Sequence, residues 1–280
     1  MQLSGNIWFV AASTKETLRV IMSHRIRDMY FIFIVGTAGC GKSLLTATFS
    51  DWLRLKKQNV ISVNLDAATL WLPYNPDVDV RDYVRTEEVM EKYGLGPNGA
   101  MVMSADLIAT EIESIRTDID ELNSDYVIVD TPGQMELFAF RASGPYIVKE
   151  LTDDPKALLY LFDATFSSEP FNYVSNMFLA TAVYTRFLVP QLYILSKTDL
   201  VPRRVVKRTA EWSKRLETLE DALEAEASDT NRLIAIGISH LVSRLGLSFP
   251  LIPVSSKKQE GFINIHSVLT RIFSGGEEVI

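Results

Sequence analysis

Two periodicities run through the chain. Residues 30–35, 60–65, 126–129, 157–162, 191–195 and 251–254 are short, nearly continuous apolar runs, the pattern of strands covered on both faces. Between them apolar positions recur at helical spacing, as in 106–122 and 135–151. After the first run, Leu45, Phe49, Trp52 and Leu53 fall on one helical face. Strand and helix in alternation predict an α/β fold: a doubly wound, mostly parallel sheet that binds ligands at the carboxyl ends of its strands. No repeat, low-complexity tract or Gly/Ser linker divides the sequence. One domain over 29–280 is therefore expected, with helical insertions near 164–189 and 203–249. Residues 1–28 stand apart. Their apolar stretch at 7–12 is shorter than a signal-peptide core and no Lys or Arg precedes it. The expectation there is a loosely packed extension or a translation start placed too early.

Composition narrows the function classes. With 280 residues, 47% of them hydrophobic, the chain can bury a large core. The net charge of −7 argues against a nucleic-acid footprint, and the basic cluster Arg203, Arg204, Lys207, Arg208 reads as a solvated helix face. No apolar run approaches the ~18 residues of a membrane span. The single cysteine, Cys40, excludes an internal disulfide and suits a reducing, cytoplasmic setting. His24, His240 and His266 show no zinc-ligand spacing.

The chemistry is concentrated at the ends of the predicted strands. Gly36-Thr37-Ala38-Gly39-Cys40-Gly41-Lys42-Ser43 is a complete G-x-x-x-x-G-K-[ST] motif, preceded by a strand pattern and followed by a helical one. In that context the loop's N–H groups and the helix start face phosphate. Lys42 would reach the β- and γ-phosphates, and the Ser43 hydroxyl would hold Mg²⁺. Such a loop predicts a P-loop NTPase. Asp130-Thr131-Pro132-Gly133-Gln134 closes the strand at 126–129. Asp130 would bind the Mg²⁺ water shell, Gly133 N–H would contact the γ-phosphate, and Gln134 would position the attacking water. Asp66 ends the second strand and is a weaker candidate of the same kind. Ser196-Lys197-Thr198-Asp199 follows the fifth strand. The Asp199 carboxylate would accept guanine N1–H and N2–H₂, a donor pair adenine lacks, and the Lys197 stem would lie along the base. Ser255-Ser256-Lys257 would offer backbone N–H to guanine O6. In this order the set is the signature of a GTP-hydrolysing protein with Mg²⁺ as cofactor. An ATP-using kinase would need an acceptor site and would not need Asp199.

Between the second and third of these motifs lie Leu72-Pro73-Tyr74-Asn75-Pro76-Asp77-Val78-Asp79-Val80-Arg81-Asp82 and Gly94-Leu95-Gly96-Pro97-Asn98-Gly99. By itself Pro-Asn-Gly reads as a β-turn. Taken with Asn64-Leu65-Asp66 and Asp130-Thr131-Pro132-Gly133-Gln134-Met135-Glu136, these segments closely resemble the GPN-loop GTPases of archaea and eukaryotes over about residues 29–273. The resemblance implies a homodimer in which Asn98 of each subunit serves the partner's nucleotide. It also implies that Asp66 and Asp130 act as Mg²⁺ and water-network acids, with Gln134 and Glu136 positioning water. For eukaryotic members it implies a link to RNA polymerase assembly and transport. Two positions depart from the pattern. Ser196 stands where many GTPases have asparagine, which should weaken a bond to guanine N7 or to the loop, and Ala67 stands where the family commonly has proline. A dimeric GTP-hydrolysing switch is one reading, and a slow-hydrolysing, chaperone-like assembly module is the other. The apolar stretch 166–189 would suit a partner surface or ordinary helix packing.

Overall fold

The computed structural model describes residues 28–226, 230–245 and 250–275. The expected extension over 1–28 lies, Asp28 excepted, outside the described residues. Seven strands form one sheet: β1 (Tyr30–Gly36), β2 (Val60–Asn64), β3 (Val78–Asp79), β4 (Tyr126–Asp130), β5 (Lys156–Asp163), β6 (Gln191–Ser196) and β7 (Leu251–Pro253). Their order is β3-β2-β4-β1-β5-β6-β7, and every pair is parallel. The six strands read from sequence are all present. The two-residue edge strand β3 is an addition, because so short a segment has no periodicity to detect.

Alternation along β1 sorts the core into two layers. Ile32 and Ile34 join a cluster with Leu45, Phe49 and Leu53 of α1 (Lys42–Leu55), and with Phe262, Ile265 and Leu269 of α12 (Phe262–Phe273). Phe49 and Phe262 meet edge to face at 5.4 Å between ring centroids. Phe31, Phe33 and Val35 point the other way, into the larger cluster. That face is covered by α2 (Thr86–Tyr93), α3 (Pro97–Thr110), α4 (Ile112–Leu122), α5 (Met135–Ala139), α6 (Ser143–Glu150) and α8 (Pro170–Phe187). The short α7 (Ala164–Ser167) precedes α8, and α9 (Arg203–Trp212), α10 (Leu216–Glu226) and α11 (Thr230–Arg244) complete the fold. Strands buried from both sides explain the continuously apolar runs.

Three local expectations change. The helix at 106–122 is two helices that meet at Glu111. The helix at 135–151 is also two, α5 and α6, because the chain folds back so tightly that a Cβ on Gly144 would lie 1.5 Å from the Phe138 carbonyl oxygen. Gly-Pro-Asn is not an isolated turn. Gly96 caps α3, Pro97 occupies its first turn and Asn98 follows it; proline is favoured there because it lacks only an N–H that has no helical partner. The apolar stretch of α8 packs inward through Tyr173, Val174, Met177, Ala180 and Val183. The basic cluster of α9 is exposed, and Arg208 stacks over Trp212. Among the described residues no helix is long and apolar enough to cross a membrane.

Candidate functional site

The phosphate loop leaves β1 between β4 and β5, at the carboxyl edge of the sheet, where open α/β sheets bind ligands. Gly39 (φ 75°) and Gly41 (φ 100°) adopt left-handed backbone that turns the loop back on itself. Gly36 is needed for closeness, since a Cβ there would lie 2.7 Å from Cys40 Sγ. Cys40 is buried beneath the loop, and burial pushes its thiol pKa up, so it is packing rather than a nucleophile. Lys42 Nζ donates to the Gly36 and Thr37 carbonyls at 3.0 and 3.2 Å. A cavity of about 410 Å³ opens over the loop, lined by Gly39, Gly41, Lys42, Ser43, Asp66, Trp71, Thr131 and Gly133 among others.

Asp66 and Gly133, far apart in sequence, close the opposite wall of this cavity. Asp66 Oδ2 accepts the Gly133 N–H at 3.0 Å, and Oδ1 accepts the Ala68 N–H at 3.0 Å. The N–H expected to face the γ-phosphate is thus directed to a carboxylate here. Thr131 ties the turn after β4 to β1 through the Ile34 carbonyl at 2.7 Å. Gln134 caps α5, and Gln134 and Glu136 are both exposed. Asp130 is 1% exposed. Burial pushes its carboxyl pKa up to about 6 against the opposing pull of Ser43, Lys42 and Tyr74.

On the other side of the loop, β6 delivers the base-recognition segment. Ser196 Oγ donates to the Cys40 carbonyl at 2.8 Å, so serine keeps the tie to the phosphate loop that the missing asparagine was expected to weaken. Lys197 takes left-handed backbone (φ 56°), and its ammonium pairs with Asp163 at 2.7 Å. Ser255 Oγ donates to Asp199 Oδ1 at 2.7 Å, and this bond holds the Asp199 carboxyl below its usual pKa. Ser255 is itself fixed by paired backbone bonds with Glu260, each 3.1 Å. Asn98 is exposed on α3 and is not among the residues lining the cavity.

A family described as conserved hypothetical ATP-binding proteins matches residues 34–275. GPN-loop GTPase 1 of Saccharomyces cerevisiae is 32% identical over 82% of this chain and 62% of its own length. GPN-loop GTPase QQT2 of Arabidopsis thaliana is 35% identical over 71% of this chain and 53% of its own length. The chain therefore spans only about half to three-fifths of these longer relatives. GPN-loop GTPase PAB0955 of Pyrococcus abyssi is 32% identical over 85% of this chain and 94% of its own length. Its crystal structure, described as a GTPase in apo form, superposes with a TM-score of 0.78 at 30% identity, over 88% of this chain and 97% of that one. The chain belongs to the GPN-loop GTPase family.

Five residues of this GPN-loop family member were given no role from the sequence: Asn64, Tyr74, Asp79, Arg81 and Asp163. Asn64, fully buried, accepts the Asp66 N–H at 3.0 Å and donates to the Asp66 carbonyl and to Asp79. Asp79 in turn binds Arg81, which holds the Thr69 carbonyl at 3.2 Å. This network aims Asp66 and anchors the loop after it. Tyr74 donates its hydroxyl to Asp130 Oδ2 at 3.1 Å, and Asp163 receives Lys197. Asp130 Oδ1 is buried with no hydrogen-bond partner among the described residues. An unsatisfied buried carboxylate oxygen beside the phosphate loop suits a cation, and hydroxyl and carboxylate are the hard oxygen donors Mg²⁺ takes. Ser43, Asp130 and Asp66 would hold it.

Proposed function

We propose that the protein binds GTP with Mg²⁺ and hydrolyses it to GDP and phosphate. The observation that carries this reading is the joining of three distant segments around one loop: Asp66 to Gly133, Ser196 to Cys40 O, and Asp199 to Ser255. On this reading phosphate recognition and base recognition lie side by side at the carboxyl edge of the sheet. Lys42 would leave the loop carbonyls for the β- and γ-phosphate oxygens, whose charge it is placed to neutralise. Asp66 would yield the Gly133 N–H to the γ-phosphate. Gln134 and Glu136, exposed at the start of α5, are free to orient the attacking water. Ser43, Asp66 and Asp130 would hold Mg²⁺, which would supply positive charge to offset that developing on the phosphates. Asp199 selects guanine over adenine, so the base preference we propose is guanine despite the ATP-binding description of the matched family.

The working unit we propose is a cytoplasmic homodimer, a switch in which Asn98 reaches the partner's site. Exposed Leu70 (86%) and Trp71 (75%), on the loop that borders the cavity, support a covering subunit. The wider role in assembly of a larger complex such as RNA polymerase rests on family resemblance, and co-purification with the GTP-locked protein tests it. Titration with GTP and ATP, together with phosphate release from each, tests the chemistry. Preferential GTP binding with turnover is expected. Equal affinity for ATP would overturn the base assignment, and tight GTP binding without turnover would favour the slow-hydrolysing assembly module.

A further inference from the structure

Asp163 ends β5, and its register partner across to β6 is Ser196, the residue before Lys197. Its two carboxylate oxygens are committed to different tasks. Oδ1 accepts the Thr165 N–H at 2.9 Å and the Thr165 hydroxyl at 2.7 Å, which fixes the carboxylate to the start of α7. Oδ2 accepts Lys197 Nζ at 2.7 Å, and both side chains are mostly shielded from solvent. The lysine approaches along a constrained path. Its backbone is left-handed, a conformation few non-glycine residues adopt. Its Cε passes 3.9 Å from the place a Cβ would take on Gly41. The stem is thus stretched across the phosphate loop, between the Ser196 tie to Cys40 and the Asp199–Ser255 pair.

We propose that Asp163 is a positioning residue for nucleotide binding: by clamping the Lys197 ammonium it holds the lysine's methylene stem in place as one wall of the base slot. This rests on reading the site as a guanine-nucleotide site. The clamp does two things. It pre-orders a long, rotamer-rich side chain, so that binding need not do so. It also neutralises the ammonium, leaving Lys42 as the cation directed at phosphate. The wall touches the flat face of a purine and reads none of its edge groups. Asp163 therefore sets affinity without setting base preference, in contrast to Asp199.

The test is a double-mutant cycle on nucleotide affinity, measured by displacement of a fluorescent guanine nucleotide with GTP, GDP and ATP. Asp163→Asn keeps an oxygen for the α7 cap and removes the charge. It should weaken GTP and GDP by the same factor, about tenfold, as expected for losing one charge-assisted hydrogen bond, with the GTP-to-ATP preference unchanged. Lys197→Met should weaken binding to a similar degree, and the double variant should bind no worse than Lys197→Met alone. Parental affinity in Asp163→Asn, additive losses in the double variant, or an altered GTP-to-ATP ratio would each overturn the proposal. If Asp163→Asn is insoluble, Lys197→Met alone decides: unchanged GTP affinity overturns the wall. A parent protein that does not prefer GTP over ATP is a separate result, and it would sink the guanine reading instead.

Discussion

At the scale of single residues, the site is a set of groups each held by a neighbour that the sequence does not reveal. Asp199 illustrates both halves. Its type and its place after a strand were readable from the chain, whereas the Ser255 hydroxyl that orients it comes from 56 positions away. If, as proposed, the carboxylate accepts two adjacent guanine donors, a site built around it should reject a base lacking them by ~10⁴–10⁵. Asp199→Asn should therefore lose GTP affinity and gain xanthosine triphosphate, since an amide can donate where the carboxylate only accepts. Calorimetric titration with both nucleotides checks this, and unchanged GTP affinity in the variant counts against guanine recognition. Roles for the phosphate loop, Asp66, Asp130 and Asp199 could be proposed from the chain because each belongs to a recognisable motif next to a strand pattern. Those of Asn64, Tyr74 and Asp163 could not, because they lie in side-chain bonds that span 15 to 56 residues.

At the scale of elements, periodicity identified six of the seven strands and the main helical stretches but could not see breaks one to three residues wide. Glu111 separates α3 from α4 with apolar positions continuing on both sides. The α5–α6 break has a steric origin that predicts its own test. Gly144→Ala would drive a Cβ into the backbone oxygen of Phe138, and backbone cannot step aside as a flexible side chain would. A loss of a few kcal/mol is expected, read as a large fall in melting temperature, and a parental melting curve would refute the contact. The α1–α12 interface offers a pH test. His266 of α12 packs 5.8 Å from the Trp52 ring centroid and 6.2 Å from that of Tyr126, and burial lowers its pKa below the ordinary 6.5. A base depressed by folding contributes stability above its unfolded pKa and loses it as pH falls through the folded value. Relative to His266→Phe, the parent should therefore lose stability between pH 7 and 5, by on the order of 1–2 °C in melting temperature because the ring is only partly buried. A difference between the two proteins that does not change with pH would mean the ring is not desolvated.

At the scale of the whole molecule, the proposed dimer makes each site from two chains. Asn98 stands exposed in the first turn of α3 and is not among the residues that line the cavity over the phosphate loop of its own subunit. It carries amide donors and no negative charge, so it suits contact with a γ-phosphate held by another copy. If it acts across the dimer, each working site combines Lys42 of one subunit with Asn98 of the other. Lys42→Ala removes the charge proposed to face the β- and γ-phosphates and should be nearly inactive alone, and Asn98→Ala should also be poorly active. Mixed, the two proteins should regain GTPase activity. In the heterodimer the Asn98→Ala subunit supplies an intact Lys42 and receives an intact Asn98, while the other site lacks both. Activity should then reach at most about half the parent's per heterodimer, because a two-fold dimer has two equivalent sites. If Asn98 acts within its own chain, every site in the mixture keeps one defect and no activity returns. Closure that requires nucleotide in both subunits would also suppress recovery, since the doubly defective site binds poorly. Crosslinking the mixed dimer with a non-hydrolysable GTP analogue separates the cases: a heterodimer that forms with both sites loaded and then fails to turn over GTP rules out the shared site.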